Sequence, residues 1–203
     1  MDIESDIEDL LKEISSDSPA PGGGSVAALA GSFGAALISM VCNLTIGKKK
    51  YGVVEDEMKR ILEEAEALRE ELFGLSKKDM EAFCEVMEAF KIKDEAIRNE
   101  KLQSAYKRAA SVPYLVAKKC LRVIELGQFT TAKGNQNAIT DSGVGALLAY
   151  SGFSGAILNV KVNLKYIEDE DFVSKTKNDM DNLQKKAESI KVTIINEIER
   201  FFS

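Results

Sequence analysis

Two stretches of this chain carry no charged residue: Ser18 through Gly47 and Ser142 through Val160. Each approaches or exceeds the roughly 20 apolar residues needed to cross a bilayer. Gly, Ala and Ser dominate both, large apolar side chains are few, and the rest of the chain is charged and amphipathic. A helix without a polar face has to be buried, in lipid or in protein. The composition predicts protein: two central uncharged helices in a soluble bundle, with no membrane span.

The remaining segments read as the cover for that pair. Residues 2–14 form a short amphipathic helix, with Ile3, Ile7, Leu10, Leu11 and Ile14 on one face. A turn-rich stretch with Pro19 and Pro21 leads into the first uncharged helix, near 25–46. Over 54–91, Met58, Ile61, Ala65, Leu68, Leu72, Leu75, Asp79, Ala82 and Val86 recur at spacings of three and four. That is a helical packing seam with one member, Asp79, that is not apolar. A similar seam over 94–126 contains Pro113, which should kink or divide the helix, and Gly127 is a plausible stop. Residues 128–141 read as a loop, 142–165 as the second uncharged helix, and 169–202 as a last amphipathic helix. No run alternates with period two. The fold class is therefore all-α, a helical bundle forming a single domain over 1–203. The uncharged helices resemble each other weakly at an offset of 120, where Phe33 falls on Phe153 and Asn43 on Asn163.

Composition narrows the chemistry. There is no histidine, so Ser-His-Asp and Cys-His catalysis and histidine-ligated metals are excluded. Any proton transfer must use Asp, Glu, Lys, Tyr, Cys or water. The net charge of -6 argues against nucleic-acid binding. Cys42, Cys84 and Cys120 show no metal-ligand spacing and read as buried, reduced thiols. The acidic start lacks a signal-peptide pattern, which points to the cytoplasm.

Four features could carry function. Pro21-Gly22-Gly23-Gly24-Ser25 opens a buried helix, where free N–H groups favour an anion; an ordinary turn with an N-cap explains it equally. Lys48-Lys49-Lys50 follow that helix and could clamp a polyanionic tail or merely cap its C-terminus. Asn135 and Asn137 offer donors and acceptors suited to a heterocycle edge. Asp141 could be the next helix's N-cap, and Asn159 and Asn163 lie one turn apart on that helix, linking helices or facing a ligand. Asp79 is either half of a buried ion pair or a general acid/base with a raised pKa.

These residues are similar to a known family. Pro21-Gly-Gly-Gly-Ser-Val-Ala-Ala-Leu-Ala-Gly, then Gly-Ala-Ala-Leu at 34–37 and Asn43-Leu-Thr-Ile-Gly-Lys-Lys-Lys-Tyr51, resemble the cyclodeaminase domain of formiminotransferase-cyclodeaminase. That family also includes stand-alone methenyltetrahydrofolate cyclohydrolases. Ser111-Val112-Pro113, Gly134-Asn135-x-Asn137, Asp141-Ser142 and Asn159-Val-Lys-Val-Asn163-Leu continue the pattern. The resemblance implies a helical homodimer that binds a tetrahydrofolate substrate and needs no metal or redox cofactor. It implies either closure of 5-formiminotetrahydrofolate to 5,10-methenyltetrahydrofolate with loss of ammonia, or hydrolysis of the methenyl compound to 10-formyltetrahydrofolate.

On this reading Asp79 is the general acid/base, and Asp141 is a second candidate or balances the cationic methenyl group. Asn135 and Asn137 hold the pterin, with Asn159 as a further substrate contact. Gly22, Gly23, Gly24, Ser25 and the three lysines bind folate carboxylates, including those of a polyglutamate tail. The rival reading is a non-catalytic helical folate-binding or scaffold protein.

Overall fold

The computed structural model describes residues 3–203, with side chains described from residue 6. The predicted helix start at residue 2 lies outside the described residues, and the side chain of Ile3 outside the described side chains. The described residues form six α-helices: α1 Ile3–Ile14, α2 Gly23–Thr45, α3 Glu55–Phe90, α4 Glu95–Lys133, α5 Ile139–Leu164 and α6 Glu170–Phe202. Single 3₁₀ segments, Lys49–Val54 and Gln136–Ala138, precede α3 and α5, and there is no strand among the described residues.

Glycine sets the central contact. A Cβ at Gly34 would stand 2.5 Å from the Gly145 carbonyl oxygen, and one at Gly152 would stand 2.5 Å from that of Ala27. Without side chains there, the backbones of α2 and α5 touch. Early residues of one helix meet late residues of the other, so the pair is antiparallel. Behind them lies α4, whose Gly127 packs on Ala146 and Ile38. α3 flanks α2 and α6 flanks α5, around a core that includes Ile38, Leu72, Ile124, Phe153, Val160 and Met180. The apolar members of the α3 seam are buried as its spacing predicts, and Asp79, its one polar member, is half-buried. Asp94 and Asp169 cap α4 and α6, accepting from the N–H groups of Ile97 and Phe172 at 3.0 and 2.9 Å.

Five expectations are corrected. Pro113 does not divide α4. Its missing N–H frees the Ala109 carbonyl, and Asn163 of α5 donates its Nδ2 to that oxygen at 2.9 Å. Gly127 is a close-packing residue and not a stop, and α4 continues to Lys133. The polar run beyond it is helical because its hydroxyls are satisfied internally: Ser142 Oγ lies 2.6 Å from Thr130 Oγ1 and 2.9 Å from Thr131 Oγ1. The predicted loop 128–141 therefore shrinks to Gly134, Asn135 and one 3₁₀ turn. Asp141 stands in the first turn of α5, where Ala138 holds the cap position. Finally, Cys84 is exposed, while Cys42 and Cys120 are buried as expected, their thiols pushed up to about 12 by burial.

One face remains bare. On α2, Val26, Phe33, Met40 and Leu44 are exposed; on α5, Val144, Leu147, Leu158 and Val162 are exposed. At about 100° per residue, each stripe lies roughly a quarter-turn, in the same sense, from the glycines that join the helices. Because the helices are antiparallel, that places both stripes on one side of the pair. The weak likeness between α2 and α5 does not extend to environment: Phe33 is 57% exposed and Phe153 is 2% exposed. α1 also leaves apolar residues uncovered, Ile7 and Leu11 among them.

Gly152→Val is expected to cost about 3 kcal/mol or more, since overpacking against backbone cannot relax by a side-chain shift. Gly74→Ala, on an α3 surface where a Cβ meets nothing within 4 Å, should instead stabilise by about 0.5–1 kcal/mol. Urea midpoints of the two variants check the contrast.

Candidate active site

The N-terminus of α2 is capped from another helix. Gly22 occupies the cap position and makes no side-chain capping bond. Asp79, reaching over from α3, places its carboxyl beside this turn. Ser25 Oγ donates to Asp79 Oδ2 at 3.1 Å, and the nearby Ser25 backbone N–H also favours the ionised carboxyl. Ser25 is the third helical residue, a position whose N–H a capping oxygen commonly takes. Gly24 makes the approach possible, because a Cβ there would collide with the Asp79 carboxyl. The glycine-rich turn and the odd member of the α3 seam are thus one unit, and the anion at this helix terminus is the protein's own.

Among the described residues no Lys or Arg charge acts on Asp79, so the ion-pair reading finds no partner there. Partial burial holds its carboxyl above the usual carboxylate range, and the Ser25 hydroxyl and backbone only partly offset this.

Asp79 lines a cavity of about 520 Å³ between the first turn of α2, the second half of α3, α4 and the end of α5. Its polar end holds Asp79, Ser25, the glycine turn and Asn159. The Asn159 Nδ2 donates to Gly155 O at 2.9 Å within its own helix. The opposite wall is apolar and aromatic: Phe83, Met87, Phe90, Tyr106 and Tyr166. Tyr106 and Tyr166 stack with centroids 5.0 Å apart and planes at 18°. Gln103 fixes the turn that bears Tyr166, donating to its carbonyl at 2.9 Å and accepting from the Glu168 N–H at 2.9 Å. Sequence reasoning missed this wall. The signal was present: Phe83, Met87 and Phe90 follow Asp79 at spacings of four, four and three, one helical face.

The other residues singled out from sequence lie at the far end of the α2–α5 pair, in a tip formed by residues 44–51 and 134–141. Asn135 is engaged in holding it together. Its backbone N–H donates to Thr45 Oγ1 and its Nδ2 to Leu44 O, both at 2.9 Å, and its Oδ1 accepts from the Asn137 N–H at 3.1 Å. The Gln136 N–H donates to the Tyr51 hydroxyl at 3.0 Å. Asn137, Lys48, Lys49 and Lys50 are exposed, and Asp141 is half-buried. Among the described residues, no group of three or more Cys, Asp or Glu is arranged to hold a metal ion.

Comparison with known proteins agrees with this architecture. The sequence profile of the family described as Formiminotransferase-cyclodeaminase matches residues 6–182. The chain is 44% identical over 186 residues to the methenyltetrahydrofolate cyclohydrolase of Methylorubrum extorquens, covering 89% of each. It is 29% identical to the mouse formimidoyltransferase-cyclodeaminase, covering 97% of this chain but 37% of that one. The crystal structure of a formiminotetrahydrofolate cyclodeaminase from Thermotoga maritima superposes with a TM-score of 0.91 at 34% identity, covering 97% of each chain. The chain belongs to the formiminotransferase-cyclodeaminase family, as a protein of the cyclodeaminase fold.

The geometry of Asp79 fixes the sign of a pH effect. A carboxyl that binds its proton more tightly folded than unfolded adds stability below its unfolded pKa of about 4, and loses that contribution as pH rises through the folded value. Asp79→Asn should therefore melt at or above the parent's temperature at pH 8, with the variant's relative advantage shrinking toward pH 4. Thermal melts across that range test this; a variant deficit that grows with pH contradicts it.

Proposed function

We propose that this chain is an enzyme of folate one-carbon chemistry that hydrolyses 5,10-methenyltetrahydrofolate to 10-formyltetrahydrofolate, with Asp79 moving the protons. The observation that carries the reading is an unpaired carboxyl, raised by burial, at the polar end of a ligand-sized cavity. The likeness to a cyclohydrolase along nearly all of both chains supports the choice of reaction. A scaffold gains nothing from placing a carboxyl without a counter-charge there.

The chemistry follows from the groups present. Water adds to the methenyl carbon while Asp79 takes one of its protons, leaving a tetrahedral centre bonded to both nitrogens and a hydroxyl. Asp79 returns the proton to N5, the C–N5 bond breaks, and loss of the hydroxyl proton gives the formyl group on N10. Ser25 holds Oδ2, so Oδ1 is the oxygen available for proton exchange. The pterin and aminobenzoyl rings flank the reacting carbon, and the wall from Phe83 to Tyr166 offers them flat apolar surface. No step requires a metal or redox cofactor.

A second reaction, ring closure of 5-formiminotetrahydrofolate with loss of ammonia, uses the same carboxyl to protonate the departing amine. The Thermotoga maritima likeness favours it. We place the enzyme in the cytoplasm as a homodimer, whose second copy covers the bare face of α2 and α5.

The test follows methenyl absorbance with each substrate. Loss of the signal well above the spontaneous rate marks the hydrolase; its growth from the formimino compound marks the deaminase. Asp79→Asn should lower turnover by roughly 10²–10⁴-fold, the range for losing a general acid or base. Turnover per folded molecule that survives the substitution contradicts the role of Asp79.

A further inference from the structure

The site residues found by sequence lie at the two ends of α2 and α5, about 33 Å apart for a helix of this length. The cavity end has Asp79 but no Lys or Arg in its lining. Yet the ligand class proposed above carries glutamate carboxylates. Lys48, Lys49 and Lys50, exposed and in no ion pair among the described residues, sit at the wrong end of their own chain.

The bare face connects these two ends. Val162 belongs both to its exposed stripe and to the cavity lining. Leu44 ends the same face beside the lysine tip, its carbonyl held by Asn135. A patch as long as α2 and two helices wide covers about 700 Å² per chain, close to the 800 Å² each partner contributes to a standard interface. Its exposed side chains are mostly apolar, though Thr140 and Ser151 stand among them on α5, and it can be self-complementary, as an isologous contact requires.

We infer that each substrate site is built from two chains: a second copy, seated on this face, brings its Lys48–Lys50 tip to the mouth of the cavity that holds Asp79. This rests on the folate and dimer readings. A two-fold axis crossing the α2–α5 pair at right angles lays the start of one α2 against the end of its partner, which joins cavity to tip. An axis running along the helices instead sets the two lysine clusters against each other, and like charges disfavour it. In the crossed arrangement the exposed Asn137 and the half-buried Asp141 also arrive at the partner's cavity. The residues that the family resemblance groups as one site, separate within a chain, are then reunited between chains.

Complementation between two disabled variants tests this. Asp79→Asn removes the proton carrier, and K48E/K49E/K50E removes the tip cations. The triple variant should lose at least 10-fold in kcat/KM toward a polyglutamyl substrate, with a smaller loss toward the monoglutamate that fades with salt. Each variant alone has no intact site. A mixed dimer formed by co-expression has one intact site if the tip acts across the interface, so an equal mixture should recover up to about one quarter of the parent's activity. No gain over the summed separate activities, with mixed dimers verified by mass spectrometry, overturns the proposal, because the tip then serves its own chain. A triple variant as active as the parent also overturns it. Light scattering that finds only monomer refutes the dimer reading itself, and a parent chain inactive on both folates refutes the folate reading.

Discussion

The seating of Asp79 on the first turn of α2 is the interaction from which the rest of the site follows. A helix that begins Gly22-Gly23-Gly24 has no side chain to serve its first N–H groups. The carboxyl from α3 sits against that turn and accepts from the Ser25 hydroxyl, tying the two helices together near the cavity. Hydrogen bonds from Ser25 stabilise the ionised form, while burial opposes it and no cation assists. The result is a carboxyl held in place by its neighbours but electrostatically unneutralised. That combination suits proton transfer: an ion pair would hold the group ionised, and full exposure would leave it without orientation.

The other polar groups in the uncharged helices divide between structure and site by the partners they find. Asn163 is committed to the carbonyl that Pro113 sets free, which lets α4 run on and ties it to α5. Thr130, Thr131 and Ser142 satisfy one another in the core. Asn135 binds the end of α2 to the start of α5. Asn159, whose amide nitrogen bonds within its own helix, lines the cavity beside Asp79. A proline inside a long helix is tolerated here because a neighbouring helix provides the donor its former partner needs.

Much of the fold was legible in the sequence because helical periodicity and the lack of charge are local properties. The α3 seam, the two uncharged helices and the inward place of Asp79 all follow from spacing. The errors at Gly127 and at residues 128–141 share one cause. Glycine, threonine and asparagine signal a break only when their backbone and side chains face water. Here α5 packs so closely on α4 that glycine is needed for contact and the hydroxyls bond to each other across the gap. Cys84 was misjudged because an apolar neighbourhood in sequence is not one in space. The candidate site was legible in its parts but not in its grouping. Sequence distance does not reveal that the glycine turn and Asp79 touch, or that the lysines lie at the opposite end of the same helix pair. The aromatic wall was not legible because Phe83, Met87 and Phe90 at helical spacing read the same whether they face a core or a cavity.

Asp79 is a half-buried, oriented carboxyl without a counter-charge among the described residues. This can be tested without substrate by carbon-13 NMR of aspartate-labelled protein, with Asp79→Asn used to assign the side-chain carboxyl signal. This carbon should titrate above the ordinary aspartate value of 3.8, and Ser25→Ala, which removes one donation to the ionised form, should move the midpoint higher still. A midpoint at or below the ordinary value, unmoved by Ser25→Ala, would contradict it.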